Sequence, residues 1–184
     1  MVKALFVIDM IKAAKTDTHD YEGIIKNQLK LIDEFNKHKL PVIIVTGKPI
    51  KKKNPVMLKL WGDEDKENAK KGLDKLDPRI EKAKRTKLLR KPEYDMFFKT
   101  DIEEYCKKKK IDEIYLCGVY SGCCVYFSGA GAAMREIQPY LITDAAGGPR
   151  KDLVSGGWQQ NTFKRFKLMI GPLITTKELI KELR

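Results

Sequence analysis

Two adjacent cysteines are the side chains of this sequence best suited, by type and position, to covalent chemistry. Cys123 and Cys124 follow the apolar stretch 113–119 and stand where the next helical pattern begins, in GVYSGCCVYF. The N–H groups and the positive dipole end at a helix start can stabilise a thiolate, and they can also hold a developing oxyanion. The residues alone leave a second interpretation open, in which both cysteines only fill a tight strand-to-helix turn.

A cysteine nucleophile needs a general base, which is most often a histidine. This sequence has two histidines, His19 in a polar loop and His38 near the end of the first long helical pattern. Asp9 is better placed because it directly follows an apolar strand, and parallel α/β sheets bind ligands at the carboxyl ends of their strands. A structural role for Asp9 is equally open. Lys91 ends a short apolar run and could supply a cation, although spacing does not single it out among so many lysines.

Charge and cysteine spacing argue against several other classes of function. The net charge is +12, but the lysines are widely spread and arginines are few, so we predict no nucleic-acid partner. No run of 18 apolar residues occurs, which predicts that no segment crosses a membrane. The cysteines show no C-x-x-C spacing and no zinc pattern, and reduced thiols predict a cytoplasmic protein. Two of the cysteines, Cys106 and Cys117, are expected to pack in the core.

The candidate residues depend for their positions on a regular alternation of strand and helix patterns. This alternation predicts an α/β fold, a three-layer, open, mostly parallel β-sheet with helices on both faces in a Rossmann-like arrangement. The predicted strands are residues 4–8, 41–46, 113–119 and 140–143, and the predicted helices are residues 21–39, 100–109, 124–136 and 177–183. We predict a single domain over residues 1–184, with an irregular excursion at about 48–87 that carries at most short helices.

Four stretches occur in an order that matches one known family. ALFVIDM, residues 4–10, is similar to its first strand and catalytic aspartate. KPEYDMFFKTDIEEY, residues 91–105, resembles its lysine, aromatic segment, threonine and helix, and EIYLCGVYSGCCV, residues 113–125, resembles its strand, Gly-Val turn and Cys-Val pair. LMIGPLITTKELIKEL, residues 168–183, resembles its last strand and helix. The chain thus resembles the isochorismatase-like cysteine hydrolases, the superfamily of nicotinamidases, N-carbamoylsarcosine amidases and isochorismatases.

The resemblance implies a role for each candidate residue. The nucleophile of the family directly precedes the valine, so Cys124 matches it and Cys123 does not. By the same comparison Asp9 matches the general base and Lys91 the third member of the triad. The resemblance therefore implies hydrolysis of an amide or ureido C–N bond of a small molecule through a thioester, without a cofactor, in a dimer or larger homo-oligomer.

The resemblance also implies how the substrate is held. The backbone N–H groups of Tyr120 and Cys124 would form an oxyanion hole, with a cis peptide bond between Val119 and Tyr120. Three aromatic residues are candidates for the substrate pocket, namely Trp61 in the excursion, Phe97 after the triad lysine, and Tyr120. An aromatic residue at either of the first two positions is more often part of the core, whereas the backbone of Tyr120 lies at the proposed hole.

Departures from the family pattern keep other functions open. Residues 11–14 read Ile-Lys-Ala-Ala where relatives often carry Gln-Asn-Asp-Phe, and Ser121-Gly122 stand where relatives often carry Thr-Asp. The nicotinamidase metal site, an Asp-x-His and a further histidine, cannot be built because no histidine follows His38, so no metal is predicted. The alternatives are an isochorismatase-type ether hydrolase, a non-catalytic family member that acts as a binding protein, and a thiol redox sensor.

Overall fold

The computed structural model describes residues 1–48, 54–150 and 157–184, apart from the side chains of Trp61, Glu64 and Asp65. Within these ranges the strands are β1 (Val2–Ile8), β2 (Val42–Gly47), β3 (Lys87–Lys91), β4 (Ile111–Val119), β5 (Gln138–Gly147) and β6 (Leu173–Ile174). They form one sheet in the order β3-β2-β1-β4-β5-β6, and all neighbouring strands are parallel. The predicted α/β fold with a parallel sheet is confirmed.

Helices pack against both faces of this sheet, as predicted. They are α1 (Ala14–Asp17), α2 (Tyr21–Lys37), α3 (Pro55–Trp61), α4 (Glu64–Lys70), α5 (Pro78–Lys82), α6 (Ile102–Lys109), α7 (Cys124–Ala133), α8 (Trp158–Met169) and α9 (Thr176–Leu183). Buried residues of α2, α5 and α9 join a first core cluster with Phe35 and Tyr115, and those of α6, α7 and α8 join a second with Phe6 and Phe166. Alternate strand residues point to opposite faces, which separates the clusters. In the described ranges no helix has the length and apolar character needed to cross a membrane.

The carboxyl ends of β3, β2, β1 and β4 lie side by side at one end of the sheet, which is called the sheet edge below. β1 is at the centre of this sheet edge, between β2 and β4. Residues 4–8 are fully buried, as expected for a strand that helices cover on both faces. Ile8 of β1 pairs with Val45 of β2 on one side and with Gly118 of β4 on the other. At the end of β2, Gly47 pairs with Lys91 of β3. The residues at these carboxyl ends therefore lie close together.

The sequence prediction lacks three elements, namely β3, α8 and the four-residue helix α1, and the last strand is shorter than expected. β3 is missed because only two of its five residues are buried, so it carries little apolar signal. α8 is missed because its pattern is dominated by polar residues, with Thr162 and Phe166 buried. Leu168 and Met169, which the prediction assigns to the last strand, belong to α8 and are 83% and 72% exposed. The strand itself is limited to β6.

The described part of the excursion contains the short helices α3, α4 and α5. Asn54 and Asp77 precede α3 and α5, and each side chain accepts a hydrogen bond from a backbone N–H of the first helical turn. A proline stands in the first turn of both helices, where its missing N–H costs nothing. Residues 49–53 of the excursion lie outside the described residues.

Cys106 in α6 and Cys117 in β4 are buried in the core, as predicted. The thiol of Cys117 contacts the carbonyl oxygen of Phe6 at 3.4 Å. Burial raises the pKa of the Cys106 thiol to about 11 and raises the pKa of Cys117 further. These two cysteines are therefore small core side chains that remain protonated.

Candidate active site

Asp9 follows β1 at the centre of the sheet edge, and backbone contacts hold it there. Its φ is 52°, in the left-handed region, and its N–H donates to the carbonyl oxygen of Val45 at 2.9 Å. Gly118 of β4 has φ 118°, and a Cβ atom there would overlap the carbonyl oxygen of Ile8. Glycine is needed for this close approach. It places the end of β4 directly against the residue that precedes Asp9.

Lys91 ends β3 and places its ammonium group between the other two members of the predicted triad. Its Nζ lies 2.7 Å from Asp9 Oδ2 and donates to Cys124 Sγ at 3.3 Å and to the carbonyl oxygen of Glu93 at 3.1 Å. The residue is only 4% exposed, and a lysine so buried keeps its charge only when it is paired. Burial lowers the pKa of Lys91, but the Asp9 carboxylate and Cys124 raise it more, so the group remains an ammonium.

Cys124 is the first residue of α7, where backbone N–H groups have no acceptor within the helix. The hydrogen bond with the Cys123 thiol, burial and the Asp9 carboxylate raise the pKa of Cys124 well above its ordinary value. Lys91 acts in the opposite direction, but its own charge is neutralised by Asp9. Cys124 therefore rests as a thiol beside an ion pair, and it needs a base to become a nucleophile.

Cys123, the N-cap residue of α7, contacts the thiol of Cys124. The hydrogen bond with the Cys124 thiol lowers the pKa of Cys123, although burial opposes this shift. Lys91, however, donates its hydrogen bond to Cys124. Geometry thus favours Cys124 as the residue that works with Asp9 and Lys91, in agreement with the resemblance.

The turn between β4 and α7 is anchored from two sides. The peptide bond between Val119 and Tyr120 is cis, as the resemblance implies. The N–H of Ser121 donates to the carbonyl oxygen of Gly147 at 2.8 Å. The hydroxyl of Tyr120 donates to Asp17 Oδ2 at 2.9 Å. The turn that carries the proposed oxyanion hole is thus fixed both to the end of β5 and to the end of α1.

The three aromatic residues predicted for the pocket have different outcomes. Tyr120 is half-buried in the turn just described. Phe97 is 4% exposed and packs in the second core cluster, with the guanidinium carbon of Arg135 4.7 Å from its ring centre. Because a side chain enclosed in this way offers little surface to a ligand, its burial favours the core role over the expected substrate contact. Trp61 ends α3, and its side chain lies outside the described residues.

Asp17 and Glu93 contact the candidate site but carry no signal in the sequence. Asp17 is the last residue of the four-residue helix α1. Glu93 accepts the hydrogen bond of Lys91 with its carbonyl oxygen, and its Oε1 accepts from Asn54 Nδ2 at 3.4 Å. Both are acidic residues in polar segments, which are common on any protein surface. Folding brings Asp17 to Tyr120 across 103 positions of the chain.

A metal site is not formed by the part of the chain that the structure describes. No group of three or more His, Cys, Asp or Glu side chains in these residues could hold a metal ion. His38 caps α2 and contacts Glu34 at 3.4 Å. Operation without a metal remains a prediction, and it rests on the missing histidine ligands.

A family model shows which family this chain belongs to. Residues 3–178 match the family model of the isochorismatase domain. A probable isochorismatase of Pseudomonas chlororaphis is 40% identical over 58 residues, which are 32% of this chain and 28% of that protein. The match therefore spans less than a third of that relative's length.

Solved structures show the likeness of the fold. The cysteine hydrolase of Pseudomonas syringae pv. phaseolicola 1448A superimposes with a TM-score of 0.84 at 18% identity, over 98% of this chain and 92% of the other. The N-carbamoylsarcosine amidase of Thermoplasma acidophilum superimposes with a TM-score of 0.75 at 20% identity, over 97% and 98%. The predicted family resemblance is confirmed.

Proposed function

Because the chain belongs to the isochorismatase family of hydrolases, we propose that it is a cysteine hydrolase that cleaves an amide or ureido C–N bond of a small molecule. The observation that carries this proposal is the Lys91 ammonium, which contacts both the Asp9 carboxylate and the Cys124 sulfur. A base, a cation and a thiol at a helix start are the groups needed to form and hydrolyse a thioester. The name of the structurally similar N-carbamoylsarcosine amidase agrees with C–N cleavage.

The first half of the proposed reaction forms the thioester. Asp9 takes the proton of the Cys124 thiol, and the sulfur attacks the carbonyl carbon of the substrate. Backbone N–H groups of Tyr120 and Cys124 hold the resulting oxyanion. Asp9 then gives its proton to the leaving nitrogen, the C–N bond breaks, and ammonia or an amine departs. Lys91 stabilises the negative charge as it moves between sulfur and carboxylate.

The second half releases the acid. Water loses a proton to Asp9 and attacks the thioester carbonyl carbon, and the same N–H groups hold the second oxyanion. The C–S bond then breaks, and the Cys124 sulfur recovers its proton from Asp9. The residues return to their starting states, so the cycle requires no metal and no redox cofactor.

The test is release of ammonia or amine from a panel of small amides and N-carbamoyl compounds. Wild type, Cys124→Ala and Cys123→Ala are compared in the presence of a chelator, which makes the neighbouring cysteine the matched control. We expect turnover in wild type and Cys123→Ala and loss of turnover in Cys124→Ala. Turnover that survives in Cys124→Ala, or that only Cys123→Ala loses, contradicts the assignment of the nucleophile.

An isochorismatase-type ether hydrolase is the second candidate. The local match with the probable isochorismatase of Pseudomonas chlororaphis favours it. Cleavage of such a vinyl ether yields pyruvate and no amine, so the two candidates differ in their products. If the panel gives neither product and iodoacetamide does not label Cys124, the third reading, a binding protein without catalysis, is the better one.

A further inference from the structure

We propose that Asp17 is a positioning residue of the candidate active site, which holds the oxyanion-binding turn in place through the hydroxyl group of Tyr120. This inference rests on the proposed function, because it assigns a role in the acyl-transfer step. Asp17 touches neither the thiol nor the proposed position of the reacting carbonyl group in any described contact. Its effect would be transmitted by one hydrogen bond.

That hydrogen bond is well suited to fix Tyr120. The Tyr120 hydroxyl donates to Asp17 Oδ2 at 2.9 Å, and both residues are partly buried. A hydrogen bond to a carboxylate is stronger than one between neutral groups. A tyrosine side chain has only two rotatable bonds, so an anchored hydroxyl also restricts the backbone of the residue. The backbone N–H of Tyr120 is one of the two donors proposed for the oxyanion.

Asp17 can serve as an anchor because its own backbone is fixed. Its carbonyl oxygen accepts from the N–H of Arg150 at 2.6 Å, and Arg150 Nε donates to the carbonyl oxygen of Thr18 at 3.2 Å. Thr18 also pairs with Pro149 in an antiparallel bridge. The end of α1 is therefore tied to the segment that follows β5.

The last residue of β5, Gly147, holds the other side of the turn. The carbonyl oxygen of Gly147 accepts from the N–H of Ser121. A Cβ atom at Gly147 would lie 2.8 Å from the methyl group of Thr18, which shows that α1 and β5 are packed tightly there. Tyr120 and Ser121 are thus held by two hydrogen bonds, one to Asp17 at the end of α1 and one to Gly147 at the end of β5, and Arg150 and Thr18 join these two ends.

Local helix stability does not explain the carboxylate of Asp17. Asp17 is the last residue of α1, a helix of a single turn, so a helix dipole gives no reason for a carboxylate there. The N-terminal cap of α1 makes no side-chain hydrogen bond either. The contact with Tyr120 is the described interaction that accounts for an acid at this position.

The experiment separates acyl transfer from the other chemistry of the thiol. In a Cys123→Ala background, p-nitrophenyl acetate is used to acetylate Cys124, and release of p-nitrophenolate is followed. The sulfur attacks the acetyl carbonyl carbon, the C–O bond breaks, and an oxyanion forms on the way. Iodoacetamide alkylates the same sulfur by displacing iodide at a saturated carbon, without an oxyanion. A defect of the oxyanion hole therefore slows the first reaction alone.

The variants are Asp17→Ala, Asp17→Asn and Tyr120→Phe, together with the double variant of Asp17→Ala and Tyr120→Phe. Tyr105→Phe is the control for loss of a hydroxyl, because the Tyr105 hydroxyl has no hydrogen-bond partner in the described structure. Asp33→Ala is the control for loss of a carboxylate, because Asp33 is exposed on α2. Thermal unfolding is measured for each variant.

We expect Asp17→Ala and Tyr120→Phe each to slow acetylation about tenfold or more, since small displacements of catalytic groups cost this much or more. The rate of alkylation by iodoacetamide should stay within about twofold of that of the unsubstituted background in both variants. Asp17→Asn should retain most of the acetylation rate because it keeps an acceptor oxygen. The double variant should be acetylated no more slowly than either single variant, because both substitutions remove the same hydrogen bond. Unchanged acetylation, or equal losses in both reactions, overturns the role of Asp17. If the Cys123→Ala protein is not acetylated at Cys124 at all, the proposed function itself fails.

Discussion

The four cysteines of this chain occupy two regions, and the contrast shows how position sets the chemistry of one residue type. Cys106 and Cys117 lie in the core, where burial raises the pKa of both thiols. Cys123 and Cys124 lie where β4 passes into α7, in contact with each other and next to the Lys91 ammonium. Core thiols lie among buried apolar side chains, and the thiol of Cys117 contacts the backbone carbonyl oxygen of Phe6. Thiols at the sheet edge meet charges and helix N–H groups, which can act on a substrate.

Replacement of the base at the sheet edge should have the largest effect. In Asp9→Asn the proton of Cys124, whose pKa is raised, has no acceptor, so turnover of an amide substrate should fall about a thousandfold. The measurement is kcat/KM for the best compound of the panel. Asp33→Asn, at an exposed position of α2, is the control and should match wild type. A variant of Asp9 that keeps turnover within about tenfold of wild type would remove this carboxylate from the mechanism.

Removal of the buried Lys91 ammonium should have the next largest effect, which is a loss of folding stability. Lys91→Met leaves the Asp9 carboxylate, whose side chain is 15% exposed, without its partner. The free energy of unfolding in urea should fall by about 3 kcal/mol. Lys87→Met, on the same strand, is the control. Lys87 Nζ also lies 2.7 Å from a carboxylate oxygen, Asp101 Oδ2, but the Asp101 side chain is 61% exposed. Lys87→Met should lower the free energy of unfolding by less than about 1 kcal/mol. Equal losses in the two variants would mean that the buried Lys91–Asp9 pair stabilises the fold no more than an exposed pair does.

The order in which iodoacetamide labels the thiols should distinguish the two groups of cysteines. Burial raises the pKa of the Cys106 thiol from 9.0 to about 11, so this thiol stays protonated to a higher pH. Near neutral pH its thiolate fraction is about 100-fold lower than that of a cysteine with the ordinary pKa. The pKa of Cys123 is lowered, and its side chain is partly exposed. Peptide mass spectrometry of the folded protein should therefore find Cys123 labelled first and Cys106 last together with Cys117. Equal rates for Cys106 and Cys123 would contradict the two environments described here.

The smallest effect is expected from alanine at the core cysteines. Cys106→Ala or Cys117→Ala removes one buried sulfur atom, which should lower the free energy of unfolding by about 1 kcal/mol. Turnover should stay at the wild-type level, because neither thiol reaches the edge of the sheet. Cys124→Ala is the matched comparison, in which turnover is lost and stability changes little. Loss of turnover in a core variant that remains folded would break the separation of the two regions.

Part of the fold and of the site follows from the sequence for a local reason. Strands such as β1 carry unbroken apolar runs, because helices cover both faces of a parallel sheet. A polar residue that directly follows such a run, as Asp9 does, must lie at the carboxyl end of the strands. A residue that begins the helix after a strand, as Cys124 does, must lie there too. The order of strands and helices along the chain then places Asp9 and Cys124 at the same edge without any knowledge of side-chain contacts.

Other features depend on contacts between distant parts of the chain. The residue pattern does not single out Lys91 from the other lysines, and only the resemblance to the family selected it. Its ammonium is distinctive because it is buried between Asp9 and Cys124. Phe97 shows the same dependence: an aromatic residue after Lys91 is more often core than pocket, but the pattern leaves both roles open until its 4% exposure is known.

The sequence by itself therefore determined the α/β fold, the sheet edge at which chemistry could occur, and the thiol and carboxylate that stand there. These follow from apolar patterns and strand ends, which are properties of short segments. Only the tertiary structure shows that the Lys91 ammonium contacts Asp9, that it contacts the Cys124 sulfur, and that Asp17 meets Tyr120. Those three outcomes depend on distances between side chains that are far apart in sequence, and such distances arise only when the whole chain has packed.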